Sequence, residues 1–162
     1  MRNKIIFAVM VFFQLGVFLL MVVNREIIIK NGSTHKFQVA PRDPYDYIRG
    51  NYLSINLDHS ELVGDYEKVE NKNGYLIVKK DGDWSRITEF SNKKPENMEY
   101  IKGEIKNTYN NKTYFENPFK RFYMEEGKAK ETEKKIAEGD RSYIVVKIYR
   151  GRYVVESIEI EE

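Results

Sequence analysis

Few side chains in this sequence could perform acid–base, nucleophilic or metal chemistry. There is no cysteine, which excludes thiol nucleophiles, thiolate metal sites and disulfides. The only imidazoles are His35 and His59, and only His59 has carboxylates beside it, in Asp-His-Ser-Glu at 58–61. That spacing matches no metal-binding motif, and the chain has no phosphate loop, no HExxH and no Ser/His/Asp arrangement. The sequence therefore predicts no catalytic residue, no metal site and no cofactor.

A serine–lysine pair is the alternative chemistry. Ser33 would be the nucleophile, and Lys79 or Lys80 its base. Together with the membrane anchor and outward-facing β domain predicted below, this pair resembles the layout of type I signal peptidases, in which a serine near the membrane works with a lysine base on a strand. The hydrophobic surroundings of that serine are missing, because Ser33 lies in an Asn-Gly-Ser-Thr sequence typical of a turn. An envelope hydrolase or peptidase is kept as the alternative interpretation.

The most patterned stretch is a corner at residues 41–52. Two prolines three residues apart exclude a regular helix or strand there and predict a turn. We expect Asp43 or Asp46 to pair with Arg49, and Tyr52 to be buried where the corner meets the next strand. A structural role explains these residues without a ligand, and partner binding is the alternative. The residues of the corner with either role are Arg42, Asp43, Pro44, Asp46, Arg49, Gly50, Asn51 and Tyr52.

The element expected to position everything else is an uncharged stretch from Ile5 to Val23. As a helix rising ~1.5 Å per residue it would be about 28 Å long, close to the ~30 Å hydrocarbon core of a bilayer. A cleaved signal peptide usually has a shorter apolar region ending in small residues, whereas this one ends in Met-Val-Val-Asn-Arg. The pattern predicts a retained single-pass membrane anchor.

Arg2 and Lys4 precede this stretch, so the positive-inside rule places the N-terminus in the cytoplasm. They also carry the whole formal charge of +2, so residues 24–162 are neutral and nothing in their bulk charge indicates nucleic-acid binding. The predicted division is a cytoplasmic stub, an anchor, a tether and an extracytoplasmic β-rich domain at residues 1–4, 5–23, 24–35 and 36–162.

Alternating patterns and turn residues predict that this domain is mainly β, a small antiparallel barrel or sandwich. One hairpin turns at Asp81-Gly82, a pair that supplies the positive φ angles of a type I′ turn. A second hairpin joins residues 142–149 to 152–160 through Arg150-Gly151, and both of its arms are rich in Val, Ile and Tyr.

Three further elements are predicted with weaker patterns. Ile27–Ile29, before Asn31-Gly32, has the pattern of a short strand entering a turn. Residues 128–138, followed by Gly139 as a C-cap, form one short surface helix. An aromatic-rich segment is interpreted as core and cross-strand pairs, with a partner groove or a bilayer-facing patch as alternatives. Its residues are Tyr114, Phe115, Phe119, Phe122 and Tyr123.

The corner sequence Asp43-Pro44-x-Asp46-x-x-Arg49-Gly50-Asn51-Tyr52 resembles the motif of the bacterial GDYXXLXY protein family. The stretches at 74–84, 121–133 and 142–160 also look familial, so the resemblance covers nearly the whole chain. It implies a membrane-anchored envelope protein of a family without an assigned activity. Asn51 stands where the family has aspartate, which excludes a general acid or base there but is compatible with a turn role.

Together these patterns predict a single-pass protein of the bacterial cytoplasmic membrane, with its C-terminal domain outside. We expect the domain to bind a protein partner of the cell envelope and to have no catalytic activity. A structure in which several groups with shifted pKa values lie around one pocket would instead favour an enzyme.

Overall fold

The computed structural model describes residues 2–39, 52–63, 66, 71–110, 112–123, 132, 135 and 141–161. A long helix, α1 (Arg2–Asn31), opens the described chain. Strands follow it, and their bounds are β1 (Ser33–Val39), β2 (Tyr52–Ser54), β3 (Glu61–Val63), β4 (Asn73–Asp81), β5 (Trp84–Ser91), β6 (Tyr100–Tyr109), β7 (Lys112–Phe115), β8 (Arg121–Tyr123), β9 (Ser142–Tyr149) and β10 (Arg152–Ile160).

Helix α1 is long and apolar enough to cross a membrane by length and composition. The qualifying stretch runs from Asn3 to Asn31, and none of its most apolar part is buried inside the protein. These properties are those of a membrane anchor or of a signal sequence.

The helix does not end with the apolar run, and the strand predicted at Ile27–Ile29 is wrong. These residues form the last turns of α1, because Ile28 packs on the β domain and only 7 % of it is exposed. Tertiary packing therefore outweighs the strand preference of three isoleucines. Gly32 ends the helix, its N–H donating to the Ile28 carbonyl at 2.8 Å. The predicted tether is thus occupied by helix, one glycine and the start of β1.

The strands form two main antiparallel sheets packed as a sandwich, without barrel closure. One sheet has the order β1-β9-β10, and the other has the order β3-β7-β6-β4-β5. A separate two-stranded ribbon pairs β2 with β8. Strand makes up 51 % of the chain, which confirms the mainly β prediction and selects the sandwich from the two predicted architectures.

Both predicted hairpins are present. At the second, Tyr149 pairs with Arg152 across Arg150 and Gly151, whose φ angles of 50° and 77° fit a type I′ turn. At the first, Asp81 pairs with Trp84, so the loop residues are Gly82 and Asp83. Only Gly82 has a positive φ, 63°, which is the geometry of a type II′ turn. The turn therefore lies one residue later than predicted.

The core lies between the two main sheets. Phe119, from the loop before β8, has only 1 % of its surface exposed; its ring lies 5.0 Å from the rings of both Phe37 and Tyr153. Phe115 is buried as well, whereas Tyr123 is exposed, so the core interpretation holds for part of the aromatic segment. The apolar residues of β1, β4, β6 and β9 complete this core, among them Val39, Leu76, Ile101 and Ile144.

Two predictions fall mainly outside the described residues. The corner is described only from Tyr52 onward, and of that residue only the backbone pairing with Tyr123 is described. Within the predicted helix 128–138 the described residues are Thr132 and Lys135, and both are helical. The expected pairing of Asp43 or Asp46 with Arg49 stays a prediction.

Candidate functional site

A buried histidine joins the two main sheets. The side chain of His35, third in β1, points inward on the same face as Phe37 and Val39 and is 1 % exposed. Its Nδ1 lies 2.9 Å from Oγ of Ser85 in β5. Its Nε2 lies 2.7 Å from Oε2 of Glu99, which precedes β6. We call Ser85, His35 and Glu99 the histidine cluster.

The proton positions in the histidine cluster follow from its neighbours. A carboxylate beside Nε2 favours the tautomer with the proton on Nε2, and Nδ1 then accepts the Ser85 hydroxyl proton. The Nε2 contact is close but poorly aligned as a hydrogen bond. Burial lowers the pKa of His35 below its ordinary value of 6.5; Glu99 opposes this change and Lys80 adds to it. The imidazole is therefore neutral at pH 7.

A serine, a histidine and a carboxylate in a chain are also the parts of a nucleophilic relay. Among the described residues, the serine side chain is almost completely enclosed. Ser85 is 4 % exposed, and the cavity it borders has a volume of only about 20 Å³. That volume is roughly the size of a single water molecule. In the described conformation the cluster therefore connects β1 to the opposite sheet.

Sequence reasoning missed this cluster because its members lie far apart in the chain. The usable signal was the alternation His35-x-Phe37-x-Val39, which places the imidazole on the apolar face of a strand. Nothing in the sequence indicated that Ser85 and Glu99 would meet it there.

A polar groove of about 720 Å³ opens in the described part of the protein. Its floor is the outer face of β4 and β6, where Asn73 is paired with Glu104 and Tyr75 with Lys102. Gly74 and Gly103 face each other between these pairs, and a Cβ on either would point into the core, towards Phe90 or Leu76. The floor therefore presents four side chains around bare backbone.

The walls of the groove are braced by local hydrogen bonds. On one side Asn92 donates to the Asn71 carbonyl at 2.6 Å, and Asn71 accepts the N–H of Asn73 at 3.0 Å. On the other side Asn117 donates to the Ile55 carbonyl at 2.8 Å and accepts the Phe119 N–H at 2.9 Å. These amides hold the backbone of the walls in place.

The charged groups of the groove balance. Lys120 is paired with Glu116 at the rim, whereas Lys102 and Glu104 on the floor have no ion pair within the described residues. The Tyr153 hydroxyl donates to the Pro118 carbonyl, and burial raises the pKa of Tyr153, so the phenol remains protonated. The groove is therefore neutral overall, with one free cation and one free anion side by side on its described floor.

Two consecutive residues of β10 border the groove and contact the helix, respectively. Tyr153, which lines it, directly follows Arg152, and Arg152 donates from Nη1 to Oδ1 of Asn24 in α1 at 3.1 Å. The Tyr153 side chain faces Phe119 and Pro118, whereas Arg152, one residue earlier, contacts the helix just after its apolar run.

The structure does not bring the other sequence candidates together. Ser33 pairs with Ile148 at the start of β1, and Lys79 forms an ion pair with Glu89. Asp58 and His59 contact each other at 3.0 Å with both side chains exposed. Among the residues that the structure describes, no group of three or more His, Asp or Glu side chains could hold a metal ion.

An apolar N-terminal helix carrying a β sandwich defines the general class of this protein. The model of the GDYXXLXY protein family matches residues 14–158, nearly the whole chain. The chain belongs to the GDYXXLXY family. Comparisons with curated proteins and with solved structures gave no match.

Proposed function

We propose that this protein is a membrane-anchored binding module of the bacterial envelope, and that its groove holds a segment of a protein partner in or on the same membrane. The observation that carries the proposal is the groove, an open, polar and neutral site of about 720 Å³. One of its lining residues, Tyr153, directly follows the residue that contacts α1. The volume of the groove is within the range of ligand sites in proteins, about 300–1,000 Å³.

The chemistry of the groove suits a polypeptide. Peptide groups present one donor and one acceptor each, and the Asn73 amide on the floor offers both kinds of group. Lys102 and Glu104 can each meet an opposite charge on a mixed polar segment. The braced walls reduce the entropy lost on binding, because the backbone there is already ordered.

The junction with the helix supports a partner at the membrane. Only Gly32 separates α1 from β1, and Ile28 is buried against the sandwich. A Cβ at Gly32 would lie 2.5 Å from the Ile28 carbonyl oxygen and 3.1 Å from that of Ile148. The helix and the domain are therefore packed directly together, so the groove keeps a constant height above the bilayer.

Site-specific crosslinking in native membranes tests the groove. A photoreactive benzoylphenylalanine replaces Asn73 in the full-length chain, and the matched control replaces Asp83, which is exposed in the β4–β5 turn of the same sheet. We expect a discrete crosslinked protein from position 73 only. A second substitution, Glu104→Lys, should abolish it, whereas Glu96→Lys on an exposed loop should not. Equal crosslinked products from positions 73 and 83 would contradict partner binding in the groove. Loss of the product with both Glu104→Lys and Glu96→Lys would contradict it as well.

Topology is tested separately. The proposal places residues 24–162 outside the cytoplasm with the anchor retained. An alkaline phosphatase fused after Glu162 should therefore be active, and the mature protein should begin at Met1 or Arg2. Activity of a cytoplasmic reporter at the same position contradicts this orientation.

The histidine cluster supplies the second candidate function, an envelope hydrolase. It requires an exposed Ser85, which the described conformation does not provide. We expect no labelling of Ser85 by a fluorophosphonate probe in intact membranes. Labelling that is lost in Ser85→Ala and in His35→Gln would establish the hydrolase instead.

A further inference from the structure

The β9–β10 hairpin tip, Tyr149–Arg152, lies beside α1 at the position where the uncharged run of the helix ends. Arg152 contacts Asn24, and Asn24 directly follows Val23, the last residue of the uncharged run. The distance from Arg152 Nη1 to Asn24 Oδ1 is 3.1 Å. The depth of Asn24 in a membrane therefore sets the depth of the hairpin tip.

That depth can be derived from the geometry of a helix. One residue adds ~1.5 Å, so Asn24 lies within about 2 Å of the end of the apolar run. The hydrocarbon core is ~30 Å thick within a bilayer of ~40–45 Å, which leaves about 5–8 Å of headgroups on each side. A helix that spans the bilayer with this run places Arg152 among the headgroups.

The tip cannot easily swing away from this position. Gly151 is bridged to Ile101 of β6, and its carbonyl accepts the Lys102 N–H at 3.2 Å. Its φ of 77° is one that residues with a side chain rarely adopt, and a Cβ there would overlap the ring of Tyr100. The hairpin tip is therefore held between α1 and β6.

The chemistry of the tip fits anionic headgroups. Arg150 is exposed, and its guanidinium lies 5.3 Å from the centre of the Tyr149 ring. Arg152 is exposed as well, and on the helix Arg25 is exposed one residue beyond Asn24. Guanidinium groups bind phosphate through paired hydrogen bonds, and tyrosine is enriched at this depth of membranes. Glu26 is the single acid between Asn24 and Lys30.

We propose that the hairpin tip, together with Arg25, binds the phosphate groups of anionic phospholipids in the leaflet that surrounds the exit of α1. This rests on the proposed membrane anchoring, but it holds for either orientation of the chain.

Lipid selectivity of the full-length protein tests this inference. The protein is reconstituted in phosphatidylcholine vesicles, and electron spin resonance compares the association of spin-labelled phosphatidylglycerol and phosphatidylcholine with it. We expect wild type to prefer phosphatidylglycerol, and R150E/R152E to reduce that preference by roughly twofold or more. The matched control is K93E/K94E, an equal charge change in an exposed loop, and it should leave the preference unchanged. Arg2 and Lys4 contribute equally to every variant.

Two further measurements keep the outcomes distinct. Arg152 also donates a hydrogen bond to Asn24, so Arg150→Glu is tested alone as well. Among the contacts described, the Arg150 side chain packs only on its neighbour Tyr149. The preference for phosphatidylglycerol should still fall in this variant. Resistance to alkaline carbonate extraction reports the anchor by itself. Extraction of the wild-type protein would overturn the anchoring. If the protein is retained, headgroup binding would be overturned by an equal preference for phosphatidylglycerol in wild type and R150E/R152E. An equal fall of that preference in K93E/K94E would overturn it as well.

Discussion

The histidine cluster and the groove use similar side chains with opposite exposure. In the cluster, Ser85 and His35 are almost completely buried and contact each other, while Glu99 closes the arrangement from the surface. In the groove, Asn73, Lys102 and Glu104 stand on an open floor. Polar groups that are buried must find partners within the protein, whereas exposed ones are satisfied by water until a ligand displaces it.

The comparison assigns different roles to the two regions. Loss of a partner in the histidine cluster leaves buried polar atoms without hydrogen bonds, which costs stability. Loss of a side chain on the groove floor removes little from the fold, because water replaces it. The cluster should therefore respond to substitution in unfolding experiments and the groove in binding experiments.

The largest effect is expected for His35→Ala. The substitution removes a buried ring and leaves Ser85 and Glu99 without their partner, so the free energy of unfolding should fall by about 3–4 kcal/mol. Urea unfolding of the full-length protein in detergent micelles, followed by Trp84 fluorescence, measures it. The control is His59→Ala, whose side chain is exposed and should change stability by less than about 0.5 kcal/mol. Similar losses of unfolding free energy in His35→Ala and His59→Ala would contradict a special structural role of the histidine cluster.

Ser85→Ala should have the next largest effect. It leaves Nδ1 of His35 buried without a donor, which costs about 1–2 kcal/mol. Ser91 on the same strand makes an exposed hydrogen bond with the Lys93 carbonyl, so Ser91→Ala should cost less than that. A greater loss for Ser91→Ala than for Ser85→Ala would contradict the role of the cluster. Urea midpoints at constant m-value give the comparison.

The cluster should also make stability depend on pH. Because burial lowers the pKa of His35, the unfolded chain binds a proton that the folded chain does not, once the pH falls below 6.5. Its stabilising contribution is complete above 6.5 and decreases as the pH falls, by at most about 1.4 kcal/mol per pH unit.

Unfolding between about pH 5 and 6.5 should show this slope in wild type and in His59→Gln, with a shallower slope in His35→Gln. Glu99 and Lys80, the charged groups that act on the imidazole, should alter the slope in opposite directions when neutralised. An unchanged slope in His35→Gln would show that other groups cause the pH dependence.

The smallest effect on stability is expected in the groove. Asn73→Ala and Lys102→Ala each remove an exposed side chain, so unfolding should change by less than about 0.5 kcal/mol. The same variants should weaken the crosslink of the proposed partner. A loss of stability comparable to that of Ser85→Ala would show that these groove side chains stabilise the fold.

Sequence patterns predicted the local elements better than the sites. The β9–β10 hairpin was confirmed with its turn residues, because Arg150-Gly151 lies between two long strand patterns. The β4–β5 turn was displaced by one residue, since the pairing of Asp81 with Trp84 depends on both strands. The strand at Ile27–Ile29 was wrong, because the burial of Ile28 against β9 and β10 depends on residues more than one hundred positions away.

By itself the sequence determined the apolar helix, the mainly β domain and the family, since each depends on periodicity, composition or a motif read along the chain. Only the tertiary structure decided that Ser85 and Glu99 meet His35, that Asn73 and Glu104 share a groove floor, and that Arg152 lies at Asn24. These contacts join residues remote in sequence, and strand register and sheet packing set them. The side-chain pattern of one segment shows which of its faces is buried, but it does not identify the distant segment that lies opposite that face.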